Sequence, residues 1–245
     1  MTTTLLLQHD WQQHNALGDD GNPYDLIFAD PPYDYGVKYD DDPTRDLLGQ
    51  AAYQDWVAHT AEALVARLRP GGTLWWLCPA EQGWWIWPML RAQGRLLYHR
   101  PIIWHERFSQ YQQRSLTADY RLLFPIVKAG GVLTFNPDAI REESERQRMN
   151  DKRADPRGRV PGHVWRTRRL QGTAADRVKW HAAQLPPEPL ERIVAGWTNP
   201  GDSVMDAFAG SGSMGLACRK LNRNCTLVDR SETYLSKIKQ RLGED

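Results

Sequence analysis

The sequence predicts an α/β fold: a doubly wound, mostly parallel sheet that ends in an antiparallel pair. Three observations predict it. Short apolar runs alternate with helical stretches through the first half of the chain. Residues 204–215 form an apolar run, a glycine-rich turn and a helix start, a join that lets a ligand approach the backbone closely. The 245 residues, a quarter of them charged and with a net charge of +1, suffice for one large domain with a sizeable core and are not a disordered composition.

Taken in order, residues 3–8 read as a strand with Asp10 and Trp11 just beyond its end. A loop holding Gly18, Gly21 and Pro23 follows, then a short apolar strand, Leu26-Ile27-Phe28-Ala29, that runs into Asp30-Pro31-Pro32-Tyr33. Residues 34–46 are polar, with consecutive aspartates Asp40, Asp41 and Asp42, and read as a loop or mobile lid. Residues 51–68 have helical periodicity, with Trp56, Leu64 and Leu68 near one face, and Arg69-Pro70-Gly71-Gly72 reads as the helix stop. Residues 73–78 predict a buried strand, 84–93 a helix, 96–104 a strand region and 118–128 a further strand. Later, 187–197 predicts a helix, 203–208 a strand, 215–221 a helix, 224–229 a strand and 231–242 an amphipathic helix.

Between these halves the composition shifts. Residues 141–179 carry twelve Lys plus Arg against six Asp plus Glu, with several turn signals and little apolar periodicity. A basic, loop-rich stretch with interleaved aromatics suits phosphate and base contacts, which makes Arg159, His163, Trp165, Arg166, Arg168 and Arg169 candidate DNA-binding residues, the plain alternative being a solvated basic face. Elsewhere there is no apolar run of ~18 residues, so no membrane span is expected. The first residues lack the basic n-region of a signal peptide. The three cysteines, Cys78, Cys218 and Cys225, have no metal spacing and read as reduced, buried residues of a cytoplasmic protein, with no metal expected. Of the eleven tryptophans most belong in a core, and some could stack on bases.

Asp30 falls just past a strand's carboxyl end, where an open α/β sheet presents its ligands. The prolines stiffen the corner and Tyr33 adds a flat face. A carboxylate and a fixed carbonyl there can accept both hydrogens of an aromatic exocyclic amine and turn its lone pair toward an electrophile. The plain alternative for the four residues is a strand ending in an Asx-Pro turn. The second motif, Asp206-Ala207-Phe208-Ala209-Gly210-Ser211-Gly212, continues to Gly215 and thus also fits a dinucleotide-binding turn, with Asp229 as the ribose acid. Against a nicotinamide cofactor, Asp206 would repel a pyrophosphate and favour a ligand carrying an ammonium group. Only thirty residues follow Gly215, so the first half must supply the rest of the sheet.

Asp-Pro-Pro-Tyr followed late in the chain by Asp-Ala-Phe-Ala-Gly-Ser-Gly-Ser resembles the β group of amino DNA methyltransferases, which act on adenine N6 or cytosine N4. The resemblance implies the Rossmann-like methyltransferase fold in circularly permuted order. It divides the chain into a catalytic half, 1–128, a basic target-recognition insertion, 129–180, and a cofactor-binding half, 181–245. It implies S-adenosylmethionine as cofactor, double-stranded DNA as partner, a flipped-out target base, DNA methylation within restriction–modification and a possible homodimer. Catalytic roles fall to Asp30, Pro31, Pro32 and Tyr33. Cofactor contacts fall to Asp10, Trp11, Gln184, Asp206, Phe208, Gly210, Ser211, Gly212 and Asp229. Residues 181–186 match the family's His-Pro-x-Gln-Lys-Pro only in part: Ala182 and Leu185 replace the proline and lysine, while Gln184 is kept. Asp at the first motif position leans toward adenine over cytosine. An RNA amino-methyltransferase and a non-catalytic nucleic-acid-binding protein are further readings. A cytosine C5 mechanism needs a nucleophilic cysteine, and Cys78 reads as a buried strand residue instead.

Overall fold

The computed structural model describes residues 2–11, 23–39, 46–97, 100–106, 113–114, 116–168, 170 and 176–243. Asp40, Asp41, Asp42 and Arg169 lie outside the described residues.

The first strand, β1 (Thr4–Gln8), and the second, β2 (Tyr24–Ala29), are followed by α1 (Gln50–Arg67), β3 (Leu68–Pro79) and α2 (Gly83–Gln93). Then come β4 (Arg95–Leu96), β5 (Ile102–Glu106), β6 (Tyr120–Val127), α3 (Glu145–Arg148) and β7 (Val164–Thr167). The last part is α4 (Pro187–Trp197), β8 (Ser203–Asp206), α5 (Ser213–Lys220), β9 (Asn224–Asp229) and α6 (Glu232–Leu242). The expected boundaries hold closely for α4 and β9, and most others shift by one or two residues.

The strands form one sheet in the order β1-β9-β8-β2-β3-β6-β5-β7, with β4 also paired to β6. From β1 to β3 every pairing is parallel; β6 is antiparallel to both β3 and β5, and β7 returns parallel to β5. This is the doubly wound sheet with its antiparallel edge. Alternate residues of the central strands face opposite layers, as the pleat requires. Leu26, Phe28, Trp75 and Leu77 pack with Leu190, Ile193 and Trp197 of α4, Met214 of α5 and Ile238 of α6. Ile27, Ala29, Leu74 and Trp76 face Trp56, Val57 and Leu64 of α1 and Ile86 and Leu90 of α2. Three layers result, and seven of the eleven tryptophans are buried in them.

One boundary departs from expectation. Arg69-Pro70-Gly71-Gly72 does stop α1, but the chain enters β3 at once instead of turning. The four residues form an irregularity in the β2–β3 register, between the Tyr24–Leu68 and Leu26–Thr73 pairs. Their backbone stays paired on the other side: the Gly71 N–H donates to Lys128 O (2.9 Å), and Gly72 O accepts from the Lys128 N–H (3.0 Å). Gly71 holds φ +80°, and a Cβ there would lie 2.3 Å from Val132 O, so the glycine signals close backbone approach here, not a loop.

Several arginines of the basic segment pair with acids of the same region. Arg141 pairs with Asp138, Arg148 with Glu143 and Glu145, Arg153 with Asp151, Arg157 with Asp155, and Arg159 with Glu142. Its last part becomes β7, the outermost strand beside β5. No helix among the described residues is long and apolar enough to cross a membrane.

Candidate active site

Strand β2 lies between β8 and β3, with Phe28 opposite Asp206 in parallel register. The same pleat therefore delivers both motifs to the carboxyl edge as neighbours, and the Ala207 N–H donates to Phe28 O (2.9 Å) to join them. They open on a single cavity, whose lining includes Asp30, Tyr33, Asp206, Phe208, Gly210 and Asp229. Pro31, Pro32, Asp10, Trp11 and Ser211 line it as well.

The corner at Asp30-Pro31-Pro32-Tyr33 is fixed from behind by side chains distant in sequence. The Tyr53 hydroxyl of α1 donates to Pro32 O (2.9 Å), and Gln82 Nε2 donates to Tyr33 O (2.7 Å). Asp30 accepts a hydrogen bond from the Tyr33 hydroxyl. Arg121, which sequence reasoning missed, approaches Asp30 Oδ2 at 3.8 Å and is held by Glu106. Burial raises the Asp30 carboxyl above its ordinary range, while the Arg121 charge and the Tyr33 hydrogen bond oppose that rise. Burial, and then the Asp30 charge, raise the Tyr33 hydroxyl, so it stays protonated and donates.

The second motif forms the opposite wall. Asp206 is 5% exposed, accepts only one backbone N–H among the hydrogen bonds described, from Phe208 (3.1 Å), and has Asp30 and Asp229 as charged neighbours. Burial pushes its carboxyl up to about 8, with the two acids adding to the rise. Asp229 shapes the turn, since its carboxylate accepts the Gly210 N–H (2.8 Å) and the Ser231 N–H (2.9 Å). Gly210 has φ +49°, and a Cβ would fall 2.7 Å from His181 Nε2, so only glycine leaves the cavity wall clear there. The Trp11 indole donates to Ala207 O (2.8 Å), locking β1's end onto the glycine turn.

These residues fit S-adenosylmethionine. A buried acid whose charged neighbours are acids suits a ligand with an ammonium group, and Asp229 suits vicinal hydroxyls. Trp11, Trp56 and Phe208 supply apolar aromatic surface.

Three expected contacts are corrected. Gln184 does not line this cavity: its Oε1 accepts the Val178 N–H and its Nε2 donates to Asp176 O, both 2.7 Å, so both ends of the amide tie down the preceding segment. Gly212 does not line it either. It caps α5 at φ +77°, with Ile238 2.9 Å from where a Cβ would stand, so it permits α6 to pack on the turn. Trp165 cannot offer its face to a base. Its ring is 4% exposed, stacked on Trp75 (6.2 Å between centroids), covered by the Arg192 guanidinium at 5.0 Å, and its Nε1 donates to Gly162 O. Trp165→Ala should therefore destabilise the fold by roughly 3–5 kcal/mol, measured by denaturant unfolding, because it empties a core site. Arg166 and Arg168 are exposed, and His163 is half-buried.

Besides Arg121, the unforeseen cavity residues include Tyr39, Trp56, His181 and Tyr234. His181 opens the segment that matched the family in part, so a signal existed for it. Burial raises the Cys78 thiol well above its usual range, which leaves it no thiolate for a C5 mechanism.

A family model described as DNA methylase, for N6 and N4 amino-methyltransferases, matches residues 24–240. The Type II methyltransferase M.HpaI of Haemophilus parainfluenzae is 28% identical over 224 residues, covering 91% of this chain and 69% of that protein. The DNA adenine methyltransferase YhdJ of Escherichia coli is 28% identical over 229 residues, covering 89% of this chain and 76% of that protein. The crystal structure of an M1.HpyAVI–SAM complex superposes with a TM-score of 0.67 at 22% identity, covering 98% of this chain and 99% of that one.

Proposed function

The chain belongs to the DNA methylase family and is an S-adenosylmethionine-dependent DNA amino-methyltransferase, and from that premise we propose that it methylates the N6 amino group of adenine flipped out of duplex DNA. The observation that carries the reading is the single cavity shared by Asp30 at the end of β2 and Asp206 at the end of β8. When bound, S-adenosylmethionine supplies an electrophilic methyl group. Asp30 and the Pro31 carbonyl accept the two amine hydrogens and aim the nitrogen lone pair, and the backbone bonds from Tyr53 and Gln82 keep that carbonyl corner rigid. Tyr33 stacks on the extruded base. On the cofactor side Asp206 takes the amino group, Asp229 the ribose hydroxyls, and Asp10 the adenine amine beside Trp11.

Adenine is favoured by aspartate at the first motif position, and the adenine methyltransferase among the relatives agrees with it. Purified protein, tritiated S-adenosylmethionine and unmethylated genomic DNA, followed by nucleoside chromatography, tests the choice. Label in N6-methyldeoxyadenosine supports it. Label in N4-methyldeoxycytidine keeps the mechanism and replaces the base, and label in neither, with RNA labelled in a parallel reaction, replaces the substrate class.

The region 129–180 serves target recognition in this proposal, with Arg166, Arg168 and His163 at the outer strand as its DNA-facing groups. Arg166→Ala and Arg168→Ala should each weaken DNA binding and lower the slope of log K against log salt by about one where the side chain meets a phosphate. A base contact would instead relax sequence preference at one position. Salt titrations of DNA binding distinguish the two.

A further inference from the structure

We propose that Arg121, held in place by Glu106, is a positioning residue that keeps the Asp30 carboxylate ionised and ready to accept the target amine, an inference that rests on methyl transfer at Asp30.

The three side chains come from three strands. Asp30 follows β2, Glu106 closes β5 and Arg121 lies near the start of β6, opposite Trp104 in the antiparallel register. All are largely buried, with side-chain exposures of 14%, 18% and 19% for Asp30, Glu106 and Arg121. Arg121 Nη2 binds Glu106, while Nη1 reaches toward the Tyr33 hydroxyl at 3.4 Å and Asp30 Oδ2 at 3.8 Å. Its guanidinium also lies 5.5 Å from the Trp104 ring. Arg121 lines both the cofactor cavity and a second, more open cavity lined by Tyr33, Glu106 and Arg177, so it forms the wall between them.

Burial alone favours neutral Asp30, and a protonated carboxyl loses acceptor capacity toward an amine. A fixed cation within 4 Å opposes this. Arginine suits the task because it stays charged and its planar fork can be held by one carboxylate while it faces another. Glu106 holds the fork, and its own negative charge simultaneously works against ionisation of Asp30. Removing either partner by a neutral side chain must therefore move the Asp30 titration in opposite directions, which a merely structural role does not predict.

The other groups facing Asp30 are Tyr33, Tyr39, Cys78 and Asp206. Burial raises the two tyrosines and the cysteine, so all three stay neutral across the range tested. Asp206 belongs to the cofactor wall, and saturating cofactor removes its titration from kcat.

The experiment is the pH dependence of kcat from pH 5 to 9, with saturating tritiated S-adenosylmethionine and unmethylated genomic DNA, for the native protein, Arg121→Gln, Arg121→Lys and Glu106→Gln. In Arg121→Gln the acidic limb should move up by roughly one pH unit or more. Activity should recover on its alkaline side. In Glu106→Gln the limb should move down, and Arg121→Lys should keep it near its native position at reduced kcat. Should Arg121→Gln lose cooperative thermal unfolding, the Glu106→Gln and Arg121→Lys profiles decide alone. Unmoved limbs, with kcat lowered by one factor at every pH, overturn the pairing while leaving transfer at Asp30 intact. A native protein that labels no DNA overturns the proposed transfer, and the pairing with it.

Discussion

Asp30→Ala should lower kcat for methyl transfer by roughly a thousandfold or more, with cofactor affinity changed by no more than about threefold. Removing one preorganised polar contact to a developing charge typically costs about 10²–10³ in rate. Asp30 is an acceptor and also the charge that accompanies the amine as it becomes cationic, so its loss belongs at or beyond that range. The fold should tolerate the change. Arg121 keeps Glu106 as its partner, the Tyr53 and Gln82 bonds go to backbone carbonyls, and a buried carboxyl whose ionisation is disfavoured is removed. The measurement is single-turnover transfer of tritium to DNA beside a cofactor titration read by tryptophan fluorescence, since Trp11 and Trp56 line the cavity. Turnover within tenfold of the native rate would remove Asp30 from the reaction. Loss of cofactor binding together with transfer would assign it to the cofactor wall instead.

How legible the site was in the sequence depends on how local each signal is. Asp30, Asp206 and Asp229 each end an apolar strand, and in a parallel sheet strand ends share one edge, so three short readings converged on one cavity. Arg121 shares that cavity but is one arginine in a strand of apolar residues, ninety-one residues from its partner by position, and no spacing links the two. Gln184 was read through a resemblance that two substitutions had already weakened, and its amide serves the backbone of residues 176–178. Trp165 shows the limit of composition: an aromatic among arginines reads as a nucleic-acid surface, yet β7 alternates, with Val164 and Arg166 outward and Trp165 and Thr167 inward. Alternation over four residues is too short to assert itself against the charge. The Gly71-Gly72 pair failed for a related reason, since glycine marks a turn and a close backbone contact alike.

Asp206→Asn should raise the stability of the cofactor-free protein and weaken cofactor binding, moving the two readouts in opposite directions. The carboxyl is pushed up to about 8 by burial and by Asp30 and Asp229. Between the ordinary carboxylate range near 4 and that value, the folded chain binds a proton that the unfolded chain has released. Stability therefore falls as pH rises through this window and levels off only above about 8. At neutral pH Asp206 is a liability to the fold, and asparagine keeps the acceptor for the Phe208 N–H without the ionisation. Tm at pH 8 should rise by several degrees, at roughly 2–4 °C for each kcal/mol in a chain of this size. At pH 5, only about one unit above the ordinary carboxylate range, little of that loss has accumulated, and the gain should be smaller. Binding runs the other way. A cationic group beside Asp206 favours the ionised carboxylate, so cofactor affinity should increase from pH 6 toward 8, with a proton released on binding. It should turn over once an α-amino group begins to lose its own proton near the same pH. Asp206→Asn should lose about tenfold or more in affinity at pH 8 and flatten the ascending limb. Calorimetric titration in two buffers of different ionisation enthalpy reads the affinity and the proton together. An asparagine variant that binds as tightly as the native chain with the same proton release would place the ammonium group elsewhere, whereas a fall in both Tm and affinity would make Asp206 a structural acid and not a site held ionisable at the fold's expense.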